Sequence, residues 1–208
     1  GWINRYGNKE VSQFNSAQMI AEKWKISRLE MEKYAFQSHQ KAMNAIEKGL
    51  FKDEIVSVGD FSTDETPRAE TSLEKMASLT PLIEGHDITA AISSQNADAS
   101  SALLIVSEKI LKEHNLMPLA RIAHISVRAD DPIWMLTAPI PATEYAVLKS
   151  GIKLNDIGLV EINEAFASVA MAWQKEMEYP MNQINVSGGA IALGHPLGAT
   201  GARLMTTM

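Results

Sequence analysis

His195 is the side chain in this sequence best suited to chemistry. It stands in the run Asn185-Val186-Ser187-Gly188-Gly189-Ala190-Ile191-Ala192-Leu193-Gly194-His195-Pro196-Leu197-Gly198-Ala199-Thr200-Gly201, which holds five of the 12 glycines. Imidazole titrates near neutrality and acts as base, hydrogen-bond donor or electrostatic stabiliser. Glycines clustered between a strand and a helix permit sharp turns and let a ligand approach the backbone closely. A tight turn also uses histidine for purely structural ends, so the residue type alone leaves both roles open. Gly189 to Gly194 has the spacing of a phosphate-binding loop, but His195-Pro196 stands where lysine and a hydroxyl residue are needed. A nucleoside-triphosphate site is thereby excluded.

A second group is Glu161-Ile162-Asn163-Glu164-Ala165-Phe166. It falls at a strand-to-helix junction, where α/β sheets present functional side chains at their C-terminal strand ends. Asn163 reads either as a helix N-cap or as an amide that fixes a water or a substrate oxygen. Glu161 and Glu164 are three residues apart, a spacing that does not by itself aim both at one site.

These groups need elements to position them. Ser16, Met19, Ile20 and Trp24 suggest a short helix. Ser27-Arg28-Leu29-Glu30 is a capping-box pattern that opens a helix through Met31, Tyr34, Ala35, Ser38, Ala42 and Ile46, with Gly49 as its stop. Thr71-Ser72-Leu73-Glu74 repeats the signature and predicts a helix to about Leu79. Strands are expected at Glu54–Val58, Ala102–Val106, Ala120–Val127, Leu159–Ile162 and Ile184–Val186. Helices are expected at Ser107–Glu113, Ala142–Ser150, Glu164–Met177 and Leu197–Met208. This alternation predicts an α/β class with a mostly parallel sheet, preceded by a helical, loop-rich segment that ends near Ile88.

Composition narrows the function classes. The chain has 208 residues, 46% hydrophobic and 21% charged, enough to bury a sizeable core. A net charge of −6 disfavours non-specific nucleic-acid binding. No apolar run reaches the roughly 18–20 residues of a membrane span, and the first residues do not resemble a secretory signal, so a cytoplasmic protein is expected. Zero Cys excludes a disulfide framework, a thiolate-ligated metal and a cysteine nucleophile supplied by these residues.

Asn163-Glu164-Ala165-Phe166 followed by Gly188 to Gly201 resembles the thiolase family of acyl-CoA C-acyltransferases. The resemblance continues upstream in Ile26-Ser27-Arg28, Ser38-His39-Gln40-Lys41-Ala42, Phe51-Lys52-Asp53-Glu54-Ile55, Asp64-Glu65, Pro67-Arg68, Leu73–Pro81, Ile88-Thr89-Ala90, Pro139 and Pro141-Ala142. It runs along effectively the whole chain. It implies a layered α/β thiolase-like fold, mostly parallel or mixed in its sheet and truncated. Residues 1–88 would form the coenzyme A-binding loop region, 89–118 the end of the N-terminal domain and a linker, and 119–208 an incomplete C-terminal domain.

The resemblance also implies roles. His195 would activate a nucleophile and help form an oxyanion hole, and Asn163 would hold a water in one. Arg68 would meet the nucleotide end of coenzyme A, Leu79, Ala90 and Ser94 would line the pantetheine channel, and Phe166 would pack near the acyl end. Substrates would be acyl-CoA and CoA in fatty-acid and lipid metabolism, with no metal or other cofactor, in a homodimer or homotetramer. Two runs depart from the family, and its His-Met-Gly segment is absent near Ser12–Asn15. Its usual Thr-Ala-Gly-Asn-x-Ser-Gly run is Thr89-Ala90-Ala91-Ile92-Ser93-Ser94-Gln95, and its Asp-Gly-Ala is Asp98-Ala99-Ser100. The family's two cysteines are expected to fall before Gly1 and after Met208, so the isolated chain is expected to be inactive. The alternative is a thiolase-like acyl-CoA-binding protein or subunit without catalysis.

Overall fold

A computed structural model describes all 208 residues. Its frame is helical: α1 Trp2–Tyr6, α2 Gln13–Lys23, α3 Arg28–Glu47, α4 Leu73–Ala77, α5 Glu108–Glu113, α6 Pro139–Ser150, α7 Ala167–Met177, α8 Ala190–Leu193 and α9 Thr200–Thr207. No helix is long and apolar enough to cross a membrane.

Local chemistry sets the helix ends. The capping box before α3 is formed in both directions: Ser27 Oγ accepts from Glu30 N–H at 3.3 Å, and the Glu30 carboxylate accepts from Ser27 N–H at 2.7 Å. Gly49 follows α3 at φ +68°, as expected of the stop. α2 begins at Gln13 instead of near Ser16, because the Ser12 hydroxyl accepts from Asn15 N–H; Ser16 is inside the helix and fully buried. α6 begins three residues before Ala142, since Pro139 fits the first helical turn, where an amide donor has no partner anyway.

α7 is rich in small buried residues, Ala167, Ser168, Ala170 and Ala172, and packs against α2. Close approach lets the Ser168 hydroxyl donate to Ala17 O across the contact at 2.9 Å. α3 packs on α4, α7 and α8. One hydrophobic core joins these elements through Ile20, Met31, Ile88, Ile92, Ile184 and Ile191, each essentially without solvent contact.

The strand expectations fare differently. Backbone pairing is confined to single bridges: Val160 with Ile184 and Asn96 with His195, both parallel, and Ser93 with Phe166 and Val58 with Phe61, both antiparallel. Ala102–Val106 and Ala120–Val127 form no ladder, and Glu54–Val58 is turns plus one bridge. A strand is defined by a neighbour that takes its amides and carbonyls, and these apolar segments have none alongside. The parallel register expected for Leu159–Ile162 and Ile184–Val186 survives as that one bridge, closed by Val160 N–H to Gln183 O at 3.0 Å and Asn185 N–H to Val160 O at 2.9 Å.

Candidate functional site

The segment 160–166 is extended, so alternate side chains face opposite sides. Ile162 and Glu164 are buried towards α3, while Glu161 faces Arg203 of α9, with Oε2 3.7 Å from Nη1. Asn163 shares the Glu161 side. α7 starts only at Ala167, with Phe166 as its N-cap residue, so Asn163 is not a helix cap. Its Oδ1 is shielded from solvent without a hydrogen-bond partner in the chain.

Glu164 is the keystone of this region. Its carboxylate accepts from Tyr34 Oη–H, Ser38 Oγ–H and Asn185 Nδ2–H, each at 2.8 Å, and from Ile191 N–H at 3.0 Å. The Ser38 hydroxyl also accepts from Gly189 N–H at 3.0 Å. Burial, reinforced by the Glu164 charge, pushes the Tyr34 phenol well above its ordinary pKa. The glycines are required here by space: a Cβ on Gly189 would overlap the Glu164 carboxylate, and one on Gly188, at φ +85°, would lie 2.7 Å from Ala42 Cβ.

His195 follows this turn at the far end of α8. Its backbone N–H donates to Gln95 O at 2.8 Å, and its ring Nδ1 lies 2.7 Å from the buried Thr200 hydroxyl. Burial, and then the Arg203 charge, lower the imidazole pKa, so the neutral ring is the resting form near neutrality. On the next face, burial lifts the Glu161 carboxyl to about 7 despite the opposing Arg203 charge.

A groove of about 580 Å³ opens beside the turn. Arg68, Leu79 and Ala90, three of the residues assigned from sequence to coenzyme A, line it together with Lys75, Gln95 and Ile191. A smaller cavity of about 300 Å³ adjoins it, sharing His39, Arg68, Ala69 and Thr71. His39 is buried, and its Nδ1 accepts from Arg68 N–H at 3.2 Å; burial and the Arg68 charge depress its pKa to about 4.

The other two expected residues are placed differently. Ser94 donates its N–H to Ala165 O at 3.0 Å and does not line the groove. Phe166 is 3% exposed, packed edge-on against Phe14 in the core at 5.7 Å between centroids. The segment 93–96 nevertheless ties the two motifs together, bridging Phe166 at one end and His195 at the other. The replacement of family glycines here is accommodated without strain, because Ala91 and Gln95 keep negative φ.

Sequence reasoning missed Tyr34, Ser38 and Gln95. The signal for the first two was available: polar residues four apart on the apolar face of α3 need a buried polar partner. No three His, Asp or Glu side chains converge as a metal-ion group.

Helices packed around a glycine turn carry extended segments joined by single bridges, and His195 and Asn163 lie on two of those segments. Comparison with known proteins is in accord. The model of the thiolase N-terminal domain matches residues 9–109, and that of the thiolase C-terminal domain residues 116–208. The steroid 3-ketoacyl-CoA thiolase FadA6 of Mycobacterium tuberculosis is 57% identical over 211 residues, covering 100% of this chain and 52% of that protein. The crystal structure of the Bacillus anthracis acetyl-CoA acetyltransferase superposes with a TM-score of 0.91 at 38% identity, over 96% of this chain and 53% of that one. Human mitochondrial 3-ketoacyl-CoA thiolase in complex with CoA gives 0.85 at 39% identity, over 92% and 50%. The chain belongs to the thiolase family and has its fold, and it spans about half the length of the curated relatives it matches.

Proposed function

We propose that these residues form the acyl-CoA side of a thiolase active site, serving thiolysis of 3-ketoacyl-CoA or the reverse condensation. One observation carries this reading: the groove lined by Arg68, Leu79 and Ala90 reaches Ile191, one helical turn before His195. An arginine and a histidine-bearing turn that border one groove suit a ligand carrying both an anionic group and a reactive group. The guanidinium supplies phosphate or adenine contacts.

In this reading His195, neutral at rest and oriented by Thr200, accepts a proton from a thiol and then steadies charge on the thioester oxygen. Asn163 contributes an amide donor, directly or through a water, where negative charge develops; removing such a donor costs about 2.7–4 kcal/mol of barrier. Phe166 acts from the core, fixing the start of α7 beneath the acyl end, and Ser94 shapes the channel through its backbone. The sequence contains no Cys, so the thiols of the reaction are not among these residues. The groove is lined by residues from 1–88 and 89–118 together with Ile191, and residues 119–208 also contribute His195 and Asn163. CoA thioesters are the substrates, no other cofactor takes part, and the working protein is a cytoplasmic homodimer or homotetramer. FadA6, by its name, directs attention to 3-ketoacyl-CoA substrates with a steroid acyl part.

The test is a titration of this chain with coenzyme A followed by nuclear magnetic resonance. The reading expects saturable shifts at Arg68, Leu79, Ala90 and His195. Shifts confined to other surfaces, or none at all, would overturn it. A thiolysis assay on the same chain is expected to show no turnover; measurable turnover would refute the assignment of the thiols.

A further inference from the structure

Gln95 stands where the thiolase pattern read from the sequence has glycine, and its side chain touches both Arg68 and the end of α8. Its Oε1 accepts from Arg68 Nε–H at 3.2 Å and from Arg68 Nη2–H at 2.9 Å. Its Nε2 donates to Ile191 O at 2.9 Å and Ala192 O at 3.2 Å, and to Thr66 O at 2.9 Å. Its backbone O accepts from His195 N–H, and its own N–H donates to Ala190 O at 3.4 Å. The amide orientation is fixed by this company, since only donors face Oε1 and only carbonyls face Nε2.

Two physical consequences follow. A helix leaves its last carbonyls without intrahelical donors, and in the four-residue α8 those of Ile191 and Ala192 are capped by Gln95 from another segment. That cap steadies the end of α8 from which Gly194 and His195 leave. The fork of Arg68 is meanwhile held by two bonds to one oxygen, which keeps its Nη1 edge free for a ligand at a set distance from the turn. We propose that Gln95 is a positioning residue that couples the Arg68 guanidinium to the His195 turn. One amide carries both connections, so loosening one loosens the other. The inference rests on the coenzyme A reading only for the identity of the ligand that Arg68 meets.

Gln95→Glu separates the two connections. A carboxylate still accepts from Arg68, but it faces the carbonyls of Thr66, Ile191 and Ala192 without a donor. Gln95→Ala removes both side-chain connections and keeps the backbone bonds to His195 N–H and Ala190 O. The experiment follows the Arg68 Nε–H signal, the His195 ring nitrogens and amide exchange at Leu193–His195 in the full chain. In Gln95→Ala, Arg68 Nε–H and the turn amides are expected to exchange about tenfold faster, the scale of one lost hydrogen bond. The His195 ring signals should shift, and α7 amides should stay within about twofold of wild type. In Gln95→Glu, Arg68 stays protected while the turn loosens. Unchanged His195 and turn signals in Gln95→Ala would overturn the proposal, as would acceleration spread equally over α7. If Gln95→Ala does not fold, Arg68→Ala decides: freeing Oε1 should speed exchange of the turn amides about fivefold, and no change refutes the coupling. Coenzyme A added to wild type and to Gln95→Ala reads the ligand separately. Coupling without coenzyme A binding supports the positioning role and counts against the coenzyme A reading alone.

Discussion

The turn at 185–195 and the stretch 101–129 are both poor in regular secondary structure, yet they are opposites. In the turn, glycines, Asn185 and Ile191 are buried, and polar groups find partners on α3, on the 160–164 segment and on Gln95. In 101–129, Leu104 is 82% exposed and Ile125 73%, while α5 buries nothing. The second stretch is the more hydrophobic in character but contributes nothing to the core. Apolar sequence becomes core only when something covers it, whereas the turn is held by directional bonds made entirely within the chain.

The sharpest way to break this contrast is to add one methyl group to the turn. Gly189→Ala would overlap the Glu164 carboxylate, which four donors hold in place. We expect a loss of about 3 kcal/mol or more, seen as a lowered denaturation midpoint, because overpacking and broken buried hydrogen bonds add. Gly198→Ala, whose Cβ would meet open space, should leave the midpoint within about 0.5 kcal/mol. Equal effects at both positions would contradict the account of the turn.

Glu161→Gln tests the charge beside it. Burial holds this carboxyl near 7 against an ordinary 4.5, so the folded state keeps the proton more tightly than the unfolded chain. Its contribution to stability is full below pH 4.5 and is lost as pH rises through 7. Removing the charge should therefore flatten the stability profile across that window, raising the variant relative to wild type by about 1–3 kcal/mol towards the alkaline side. A parallel pair of profiles would sink this assignment. The smallest expected effect is in the other region: Leu104→Ser and Ile125→Ser should change stability by no more than about 0.5 kcal/mol, while lowering the binding of a hydrophobic dye.

How much of this was legible beforehand depended on the range of the interaction. The capping box at Ser27 and Glu30, the helix it starts and the stop at Gly49 are local, and all are formed as read. The glycine turn and His195 stood out because their residue types are restrictive. Glu164 stood in a quoted motif, but its role as acceptor did not show, since its four donors come from α3 and the 185–195 turn, which no spacing rule connects. Gln95 was visible as a departure from a pattern, but its bonds to Arg68 and to α8 depend on the fold. The strands at Ala102–Val106 and Ala120–Val127 were read from apolarity and alternation, which report suitability for a sheet and not the presence of a neighbour. Phe166 was assigned to the acyl end, and the structure adds its seat in the core, where packing with Phe14 decides its position.

The central claim is that the Arg68 groove and the His195 turn form one coenzyme A site. Calorimetric titration of coenzyme A into the wild-type chain and into Arg68→Ala tests it most directly. The account predicts saturable one-to-one binding that weakens about tenfold when the guanidinium is lost, the scale of a charge-assisted contact. Binding of equal strength to both proteins, or none to the wild type, would contradict it.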